Sequence, residues 1–208
     1  MLGTPVEATV LAAPGPGLGE AAVKIRGGRA ISRKDSSMYN PNRVPRDTGF
    51  YLAGFADGEG SFNVSFRPRE DYGFPWKVSL CFNVSQRDPV ILSLFKRHLA
   101  CGTMRQRRDG VWYYEVNNHR ALVENVIPFF KRYRFLSAKK KRDFAKFQQL
   151  AQIITEGRHL SKEGVGEILR IRDTMNDGGK RRYDDEAILG RLENPQRPYA
   201  GPDDTQSG

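Results

Sequence analysis

The sequence predicts an α+β domain in which helices cover one face of an antiparallel sheet. Three patterns between residues 47 and 155 lead to this fold class. Two pairs of strands with alternating apolar and polar positions predict two hairpins, apolar residues at helical spacing lie before, between and after them, and each hairpin keeps one polar face. Such hairpins pack their apolar faces against the helices that connect them. The expected order is helix, hairpin, helix, hairpin, helix, helix.

The first hairpin is predicted from two runs that alternate strictly. Residues 61–69 and 77–87 form the runs, and a short polar link, 70–75, joins them. This pattern is typical of paired strands with one face in water and one in the core. The apolar positions of the two strands share a face and are Phe62, Val64, Phe66, Val78, Leu80, Phe82 and Val84.

Capping residues predict where the first two helices begin and end. Asp47 or Thr48 can cap the first helix, because both side chains accept hydrogen bonds from free backbone N–H groups. Asp88-Pro89 opens the second helix, with Asp as the cap and Pro in the first turn, and Gly102 is expected to stop it.

Turn and helix signals continue through the second half of the domain. The second hairpin, residues 103–116, turns at Asp109-Gly110. The helix that follows is expected to stop before Pro128, because proline lacks the N–H that a helix interior requires. A last core helix begins at Ser137. Its apolar positions at helical spacing are Phe144, Phe147, Ala151 and Ile154.

The positive charge of the chain is unevenly placed. The formal net charge is +10, of which residues 47–155 carry +8, residues 1–46 carry +4 and residues 156–208 carry −2. A folded segment with so much positive charge is expected to bind nucleic acid or another acidic surface.

No apolar run reaches the roughly 20 residues that span a bilayer, so we expect an intracellular protein without a membrane partner.

The two ends of the chain differ from the domain between them. Residues 1–46 are rich in Ala, Gly and Pro and predict a flexible basic leader. Residues 156–208 predict a helical extension with a disordered end. The extension is either a packing appendage or a DNA-contacting segment, the latter through Lys180, Arg181 and Arg182.

The first helix ends in a segment that suits chemistry better than packing. Residues 52–60 read Leu-Ala-Gly-Phe-Ala-Asp-Gly-Glu-Gly. Gly54 and Gly58 lie four apart on one face, where they allow another backbone to approach closely. Asp57 and Glu59 lie at the helix end that disfavours acids, yet carboxylate and carbonyl oxygens suit Mg²⁺. The alternative is a solvated acidic helix end with an ordinary glycine stop.

This segment resembles the signature of the LAGLIDADG homing endonucleases, and the element order of residues 48–155 is similar to the αββαββα core of that family. The resemblance implies a curved antiparallel sheet that forms a DNA-binding saddle, with helices on the other face. It also implies a hydrolase that makes site-specific double-strand breaks in DNA and promotes intron homing. The expected metal is Mg²⁺, for which Mn²⁺ substitutes.

The resemblance assigns roles to individual residues. Glu59, the last acid of the signature, takes the metal-binding role, and the backbone carbonyl of Gly58 assists it. Asp57 takes a supporting role at the helix end. Gln86 aligns with a polar residue that organises solvent, and a lysine before the last core helix, Lys139 or Lys140, takes the basic position near the scissile phosphate.

Only one signature copy is present, and the resemblance therefore implies a homodimer on a long, roughly palindromic DNA target. The helix face expected in the dimer interface comprises Tyr51, Gly54, Phe55 and Gly58. The residues expected to bind DNA lie on the polar faces of the strands and are Ser61, Asn63, Ser65, Arg67, Arg69, Lys77, Ser79, Asn83, Ser85, Arg87, Arg105, Arg107, Tyr113 and Glu115.

Two other functions use the same fold. An RNA maturase would bind intron RNA, either instead of cutting DNA or in addition to it, and would not need Glu59. A DNA-binding regulator with a degenerate signature would need no metal, and the segment 161–192 is long enough to contribute to such a role.

Overall fold

A computed structural model describes residues 38–70, 73–176 and 181–194. Backbone contacts divide the chain between Ser36 and Ser37, and every described residue belongs to the second unit. Most of the predicted leader, Lys180 and the end of the extension lie outside the described residues. Among the helices of the described part, none combines the length and the apolar character that crossing a bilayer requires.

The described chain alternates helices with hairpins in the predicted order. Two short 3-10 turns, Pro41–Arg43 and Arg158–Leu160, flank the predicted core. The strands and helices are α1 (Arg46–Glu59), β1 (Gly60–Pro68), β2 (Trp76–Gln86), α2 (Pro89–Leu99), β3 (Thr103–Gln106), β4 (Trp112–Val116), α3 (His119–Ala121), a π-helical segment (Leu122–Val126), α4 (Ile127–Arg132), α5 (Ala138–Thr155), α6 (Lys162–Asp173) and α7 (Asp185–Glu193).

The four strands form one antiparallel sheet in the order β1-β2-β4-β3. In the first hairpin Phe62 lies opposite Phe82, and Asn63 lies opposite Cys81. Because side chains alternate along a strand, the apolar residues of both strands point to one face and the polar residues to the other. The α+β fold and the pairing of both hairpins are therefore confirmed.

Aromatic rings fill the space between the sheet and the helices. Phe62 contacts five other phenylalanines, and its ring centroid lies 4.8 Å from that of Phe147 in α5 and 5.1 Å from that of Phe82 in β2. Phe62, Phe82 and Phe147 are at most 1% exposed. Edge-to-face aromatic pairs add to the free energy gained by burial alone. This cluster holds the last core helix against the strand that follows α1.

The first helix begins earlier than the sequence predicts. Its N-cap is Pro45 and its first residue is Arg46, so Asp47 and Thr48 lie inside the first turn and neither is the cap. The preceding residues, assigned above to the leader, pack on the core: Val44 is buried, and its carbonyl accepts a 2.8 Å hydrogen bond from the Tyr133 hydroxyl. This anchor fixes the chain ahead of the helix without a side-chain cap.

The expected stop before Pro128 is wrong. The helix continues through this proline to Arg132, after the π-helical segment Leu122–Val126. A π turn changes the hydrogen-bond register, so the missing N–H of proline is accommodated there. The stop expected at Gly102 also shifts, because α2 already ends at Leu99, where Ala100 adopts the left-handed conformation at φ 53°.

The C-terminal extension packs on the sheet as an appendage. Its helices are α6 and α7, which lie in the segment for which the sequence predicts a helical extension. Trp76 at the start of β2 donates from Nε1 to the Ile188 carbonyl at 3.0 Å, and its ring lies 5.2 Å from that of Tyr183. Asn176, after α6, donates a 2.8 Å hydrogen bond to the Phe62 carbonyl on β1. The extension therefore covers part of the β1–β2 hairpin.

The substitution Trp76→Phe should weaken the attachment of the extension. It removes the donor to Ile188 and leaves space in a packed site, so we expect a loss of about 1–3 kcal/mol in the free energy of unfolding. Urea unfolding followed by circular dichroism measures this loss. The matched control is Trp112→Phe, since Trp112 is only half-buried and its indole has no hydrogen bond among the described residues. An equal loss in both variants would contradict the role of the indole N–H.

Candidate functional site

The polar face of the sheet brings together the residues that the sequence assigns to DNA binding. Across the first hairpin Ser61 lies opposite Asn83, and Ser65 lies opposite Ser79. Asn83 also lies opposite Glu115 on β4. These pairs form one continuous polar surface over the four strands. Three of the assigned residues, Arg69, Arg87 and Arg107, lie just beyond the strand ends.

Charge on this surface is mainly positive. Six of its fourteen assigned residues are Arg or Lys, and Glu115 is the one acid among them. Glu115 accepts a hydrogen bond from Arg105 at 3.1 Å, while Arg107 donates to the Tyr113 hydroxyl at 2.6 Å. The β3–β4 end of the surface is thus already organised by its own hydrogen bonds, and its guanidinium groups remain exposed.

The end of α1 places an acid at one end of the polar surface. Glu59 is the last residue of the helix, and Gly60 starts β1 directly after it. Gly58 and Glu59 are exposed, and the Glu59 carboxylate makes no hydrogen bond or ion pair within the described part of the chain. The helix dipole disfavours a negative charge at this end. The charge of the nearby Lys140 offsets this effect in part, and a bound cation would offset it further.

The other acid of the signature, Asp57, has a structural role. Its carboxylate accepts hydrogen bonds from the backbone N–H groups of Leu136 and Ser137 at 3.0 and 2.9 Å, and from the Ser137 hydroxyl. Partial burial alone would raise the pKa of Asp57, but these hydrogen bonds and the charge of Lys140 hold that pKa below its ordinary value. Asp57 thus ties the end of α1 to the start of α5.

The lysines that precede the body of α5 have different surroundings. Lys140 is half-buried and donates a hydrogen bond from Nζ to the Gly60 carbonyl, one residue after Glu59. Burial lowers the pKa of Lys140, while the charges of Asp143, Asp57 and Glu59 oppose that shift. Lys139 is exposed. Of the two candidates, Lys140 is the one that the structure places beside the end of the signature helix.

Strand pairing places Gln86 at the same end of the sheet. Gly60 lies opposite Val84, and Gln86 is the last residue of β2, two positions further on. Its side-chain oxygen accepts a 2.8 Å hydrogen bond from the Arg87 N–H, which leaves the amide N–H₂ as a donor. Glu59, Lys140 and Gln86 therefore come from three elements that meet at one edge of the polar surface.

The donors at this edge fit a hard divalent cation only in part. A carboxylate and a helix-end carbonyl are the oxygen ligands that such ions prefer, and an acid without a protein partner favours cation binding. Within the described ranges no group of three or more His, Cys, Asp or Glu side chains could hold a metal. One chain supplies too few ligands by itself, so the fit requires water, a substrate phosphate or a second copy of Glu59.

One face of α1 is bare. A Cβ atom added to Gly54 or Gly58 would meet nothing within 4 Å, and Tyr51 is 59% exposed. Phe55 is half-buried and its ring lies 6.3 Å from that of Phe95, so it reaches this face only in part. Phe50, which the sequence interpretation did not include, is 46% exposed. Its spacing of four residues before Gly54 is the signal that could have identified it.

An α+β domain with a cationic sheet face and an acid, a lysine and an amide at one edge is the arrangement expected of a nucleic-acid-processing protein. Residues 52–151 match the LAGLIDADG endonuclease family, from the signature helix into α5. Over this segment the chain is similar to that family, and the predicted resemblance is confirmed.

Individual relatives support the same assignment. DNA endonuclease I-CeuI of Chlamydomonas moewusii is 30% identical over 140 residues, which cover 64% of this chain and 64% of that protein. Probable intron-encoded endonuclease 2 of Neurospora crassa is 28% identical over 141 residues, covering 62% of this chain and 29% of that protein. The chain thus spans less than two thirds of each of these two relatives.

Solved structures share the fold. The archaeal intron-encoded homing endonuclease I-Vdi141I, in complex with DNA, superposes with a TM-score of 0.64 at 26% identity, and the match covers 71% of this chain and 95% of that one. The αββαββα core with its antiparallel sheet is therefore the fold that the family resemblance implied.

Replacing the two signature acids should have opposite effects on stability. Asp57→Asn weakens the hydrogen bonds that cap α5, so we expect a loss of about 1–2 kcal/mol in the free energy of unfolding. Glu59→Gln removes a charge that the helix dipole disfavours, so we expect no loss and a gain of up to about 0.5 kcal/mol. Urea unfolding of the metal-free protein measures both values.

The pH dependence of the same experiment tests the cause. Because the pKa of Asp57 is lowered in the folded state, its contribution is complete above its ordinary value of 3.8 and is lost as the pH falls through the lowered value. The stability difference between the wild-type protein and Asp57→Asn should therefore shrink in acid. A difference that persists at all pH values would rule out the carboxylate as its source.

Proposed function

We propose that the protein is a homing endonuclease that cuts double-stranded DNA at a long, specific site. The observation that carries this proposal is Glu59, an exposed acid without a protein partner at the end of a helix and at one edge of a cationic sheet face. A protein that only bound nucleic acid would gain nothing from a negative charge at that place, because it repels phosphate. The names of the relatives, which describe endonucleases encoded in introns, support the same function and intron homing as its outcome.

The polar sheet face provides the DNA-binding surface. Its strands are long enough to follow a major groove, and arginine and asparagine side chains recognise guanine and adenine edges there. Arg67 and Lys77 lie opposite each other at the far end of the first hairpin, where they extend the contact with the phosphate backbone. Asn63, Asn83 and Ser85 lie closer to Glu59 along the strands and would contact bases near the cut.

The residues at the edge of the sheet divide the chemistry among them. A divalent ion, most simply Mg²⁺, would bind the Glu59 carboxylate and the Gly58 carbonyl, activate water and stabilise the leaving oxygen. Gln86 orients the attacking water through its free amide N–H₂. Lys140, fixed on the Gly60 carbonyl, places a positive charge beside the phosphate that is cut.

Two chains are needed to cut two strands. The bare face of α1 lets a second signature helix pack closely at Gly54 and Gly58, and this contact would bring the two Glu59 carboxylates near the molecular axis. The resulting two-fold symmetry requires a roughly palindromic target. It also supplies the second carboxylate that the metal site lacks in one chain.

The first test is cleavage of a randomised plasmid library, followed by sequencing of the DNA ends. The wild-type protein should give site-specific double-strand breaks with Mg²⁺. The substitution Glu59→Gln should reduce the rate by about 10²–10³-fold or more, because the main ligand of the ion is removed, while DNA binding persists. Glu124→Gln, an exposed acid in the helical layer, is the matched control and should cut at the wild-type rate.

Several outcomes would contradict the endonuclease. If the wild-type protein binds a specific DNA duplex without cutting it, the DNA-binding regulator is favoured. If it binds an intron RNA without cutting DNA, the maturase is favoured. Equal cleavage by the wild-type protein and Glu59→Gln would exclude Glu59 as the metal ligand.

The substitution Gly54→Leu should prevent dimerisation and leave the folding of the single chain intact. Nothing lies within 4 Å of the added Cβ atom in one chain, and leucine favours a helix over glycine by about 1 kcal/mol, so the monomer should not be destabilised. The side chain nevertheless blocks close packing of two α1 helices, and sedimentation velocity should show a monomer. Gly166→Leu in α6, where the nearest atom is 3.8 Å away, is the matched control and should remain dimeric. A dimeric Gly54→Leu variant would place the interface elsewhere.

A further inference from the structure

A cavity of about 230 Å³ lies where the C-terminal extension meets the outer edge of the sheet. One wall is β1 from Asn63 to Phe66, an edge strand of the sheet. The other walls are the end of α6 and the segment 181–183 before α7. The cavity is separate from the edge at which Glu59, Lys140 and Gln86 meet, and no step proposed above uses it.

The side chains that line the cavity are cationic. Three arginines, Arg172, Arg181 and Arg182, contribute to its surface, and none of the described lining residues is an acid. The acids that pair with two of them lie outside the lining: Asp185 accepts a hydrogen bond from Arg172, and Asp173 accepts one from Arg181. These carboxylates fix the positions of two guanidinium groups that line the cavity.

Arg172 is held in an unusual environment for an arginine. Its side chain is only 8% exposed, and its guanidinium carbon lies 5.2 Å from the centre of the Phe66 ring. The buried Nε–H has no acceptor among the described residues. A buried donor without an acceptor costs free energy, and a ligand oxygen that bound to this guanidinium would offset that cost. Arginine is also the side chain best suited to bind phosphate oxygens.

The cavity adjoins the DNA-binding surface. Asn63 and Ser65 line it and also belong to the polar face of the sheet. Asn176 adds an amide that donates to the Phe62 carbonyl at 2.8 Å and to the Asn63 side chain at 3.3 Å. A DNA strand that leaves the groove at the edge of β1 would therefore pass directly over the three arginines.

We propose that this cavity binds a backbone phosphate of the DNA beside the sequence that the sheet reads, so that the C-terminal extension widens the DNA contact. This inference rests on the proposed DNA-binding function. It assigns the extension a sequence-independent role, because phosphate contacts position a protein without identifying bases. Arg172 and Arg182 are the residues that bind the phosphate, and Asp185 positions Arg172.

The test measures binding to DNA of random sequence, so it needs no known target. The full chain is titrated onto a labelled pool of duplexes roughly 40 base pairs long, without metal, at salt concentrations between about 50 and 200 mM. Arg182→Gln should weaken binding and make the slope of log K against log salt less steep by about 0.9 for each phosphate that the protein no longer neutralises. Because Arg172 is buried and its replacement could unfold the chain, Arg172→Lys, checked by circular dichroism, is the second variant and should weaken binding while its charge is retained.

Arg132→Gln is the matched control. Arg132 is exposed and lies 5.7 Å from the ring of its neighbour Tyr133, and Arg182 lies 5.6 Å from the ring of its neighbour Tyr183. The two arginines differ in position, because Arg132 belongs to the helical layer and does not line the cavity. Its slope should equal that of the wild type. Equally weakened binding in Arg132→Gln and Arg182→Gln, or wild-type binding by Arg182→Gln, would overturn the phosphate site and leave the endonuclease standing. Failure of the wild-type protein to bind any duplex would overturn both proposals.

Discussion

The hydrogen bonds of Asp57 are the constraint on which the geometry of the site depends. They join the end of α1 to the start of α5, residues that lie about eighty positions apart in the chain. Together with the hydrogen bond from Lys140 to the Gly60 carbonyl, they fix the distance between Glu59, at the end of one helix, and Lys140, in the first turn of the other. The carboxylate satisfies N–H groups that a helix start leaves free, so one contact both stabilises α5 and positions a charge.

The two faces of the sheet allow this site to vary while the fold is kept. Phe62, Phe82 and Phe147 and their aromatic neighbours lie on the helical side, so the packing energy comes from residues that do not contact the polar face. The opposite face carries repelling positive charges, whose cost the buried core offsets. The core therefore determines where the polar side chains lie, and those side chains remain available for recognition.

Local patterns predicted most of this architecture, and contacts between distant residues explain the rest. Alternation placed every assigned residue of β1 and β2 on the correct face, since that pattern depends only on the strand. Sequence could not choose between Lys139 and Lys140, because the choice depends on Gly60, eighty residues earlier. It also missed the helix through Pro128, which a π segment accommodates, and the cavity of the extension, which is lined by β1, the end of α6 and residues 181–183.

Several features of the signature helix lower its stability, and one explanation accounts for all of them. Glycine at positions 54 and 58 weakens a helix by roughly 1 kcal/mol each relative to alanine, and Glu59 opposes the helix dipole. Phe50 and Tyr51 expose apolar surface next to these glycines. Lys140 offsets the charge of Glu59 in part, but no described residue lies within 4 Å of a Cβ atom added at either glycine, whereas the buried side of the same helix, from Leu52 to Ala56, is packed as a normal core. The costs are confined to the face and the end that the proposed second helix, cation and DNA would contact, so the same proposed contacts would offset all of them.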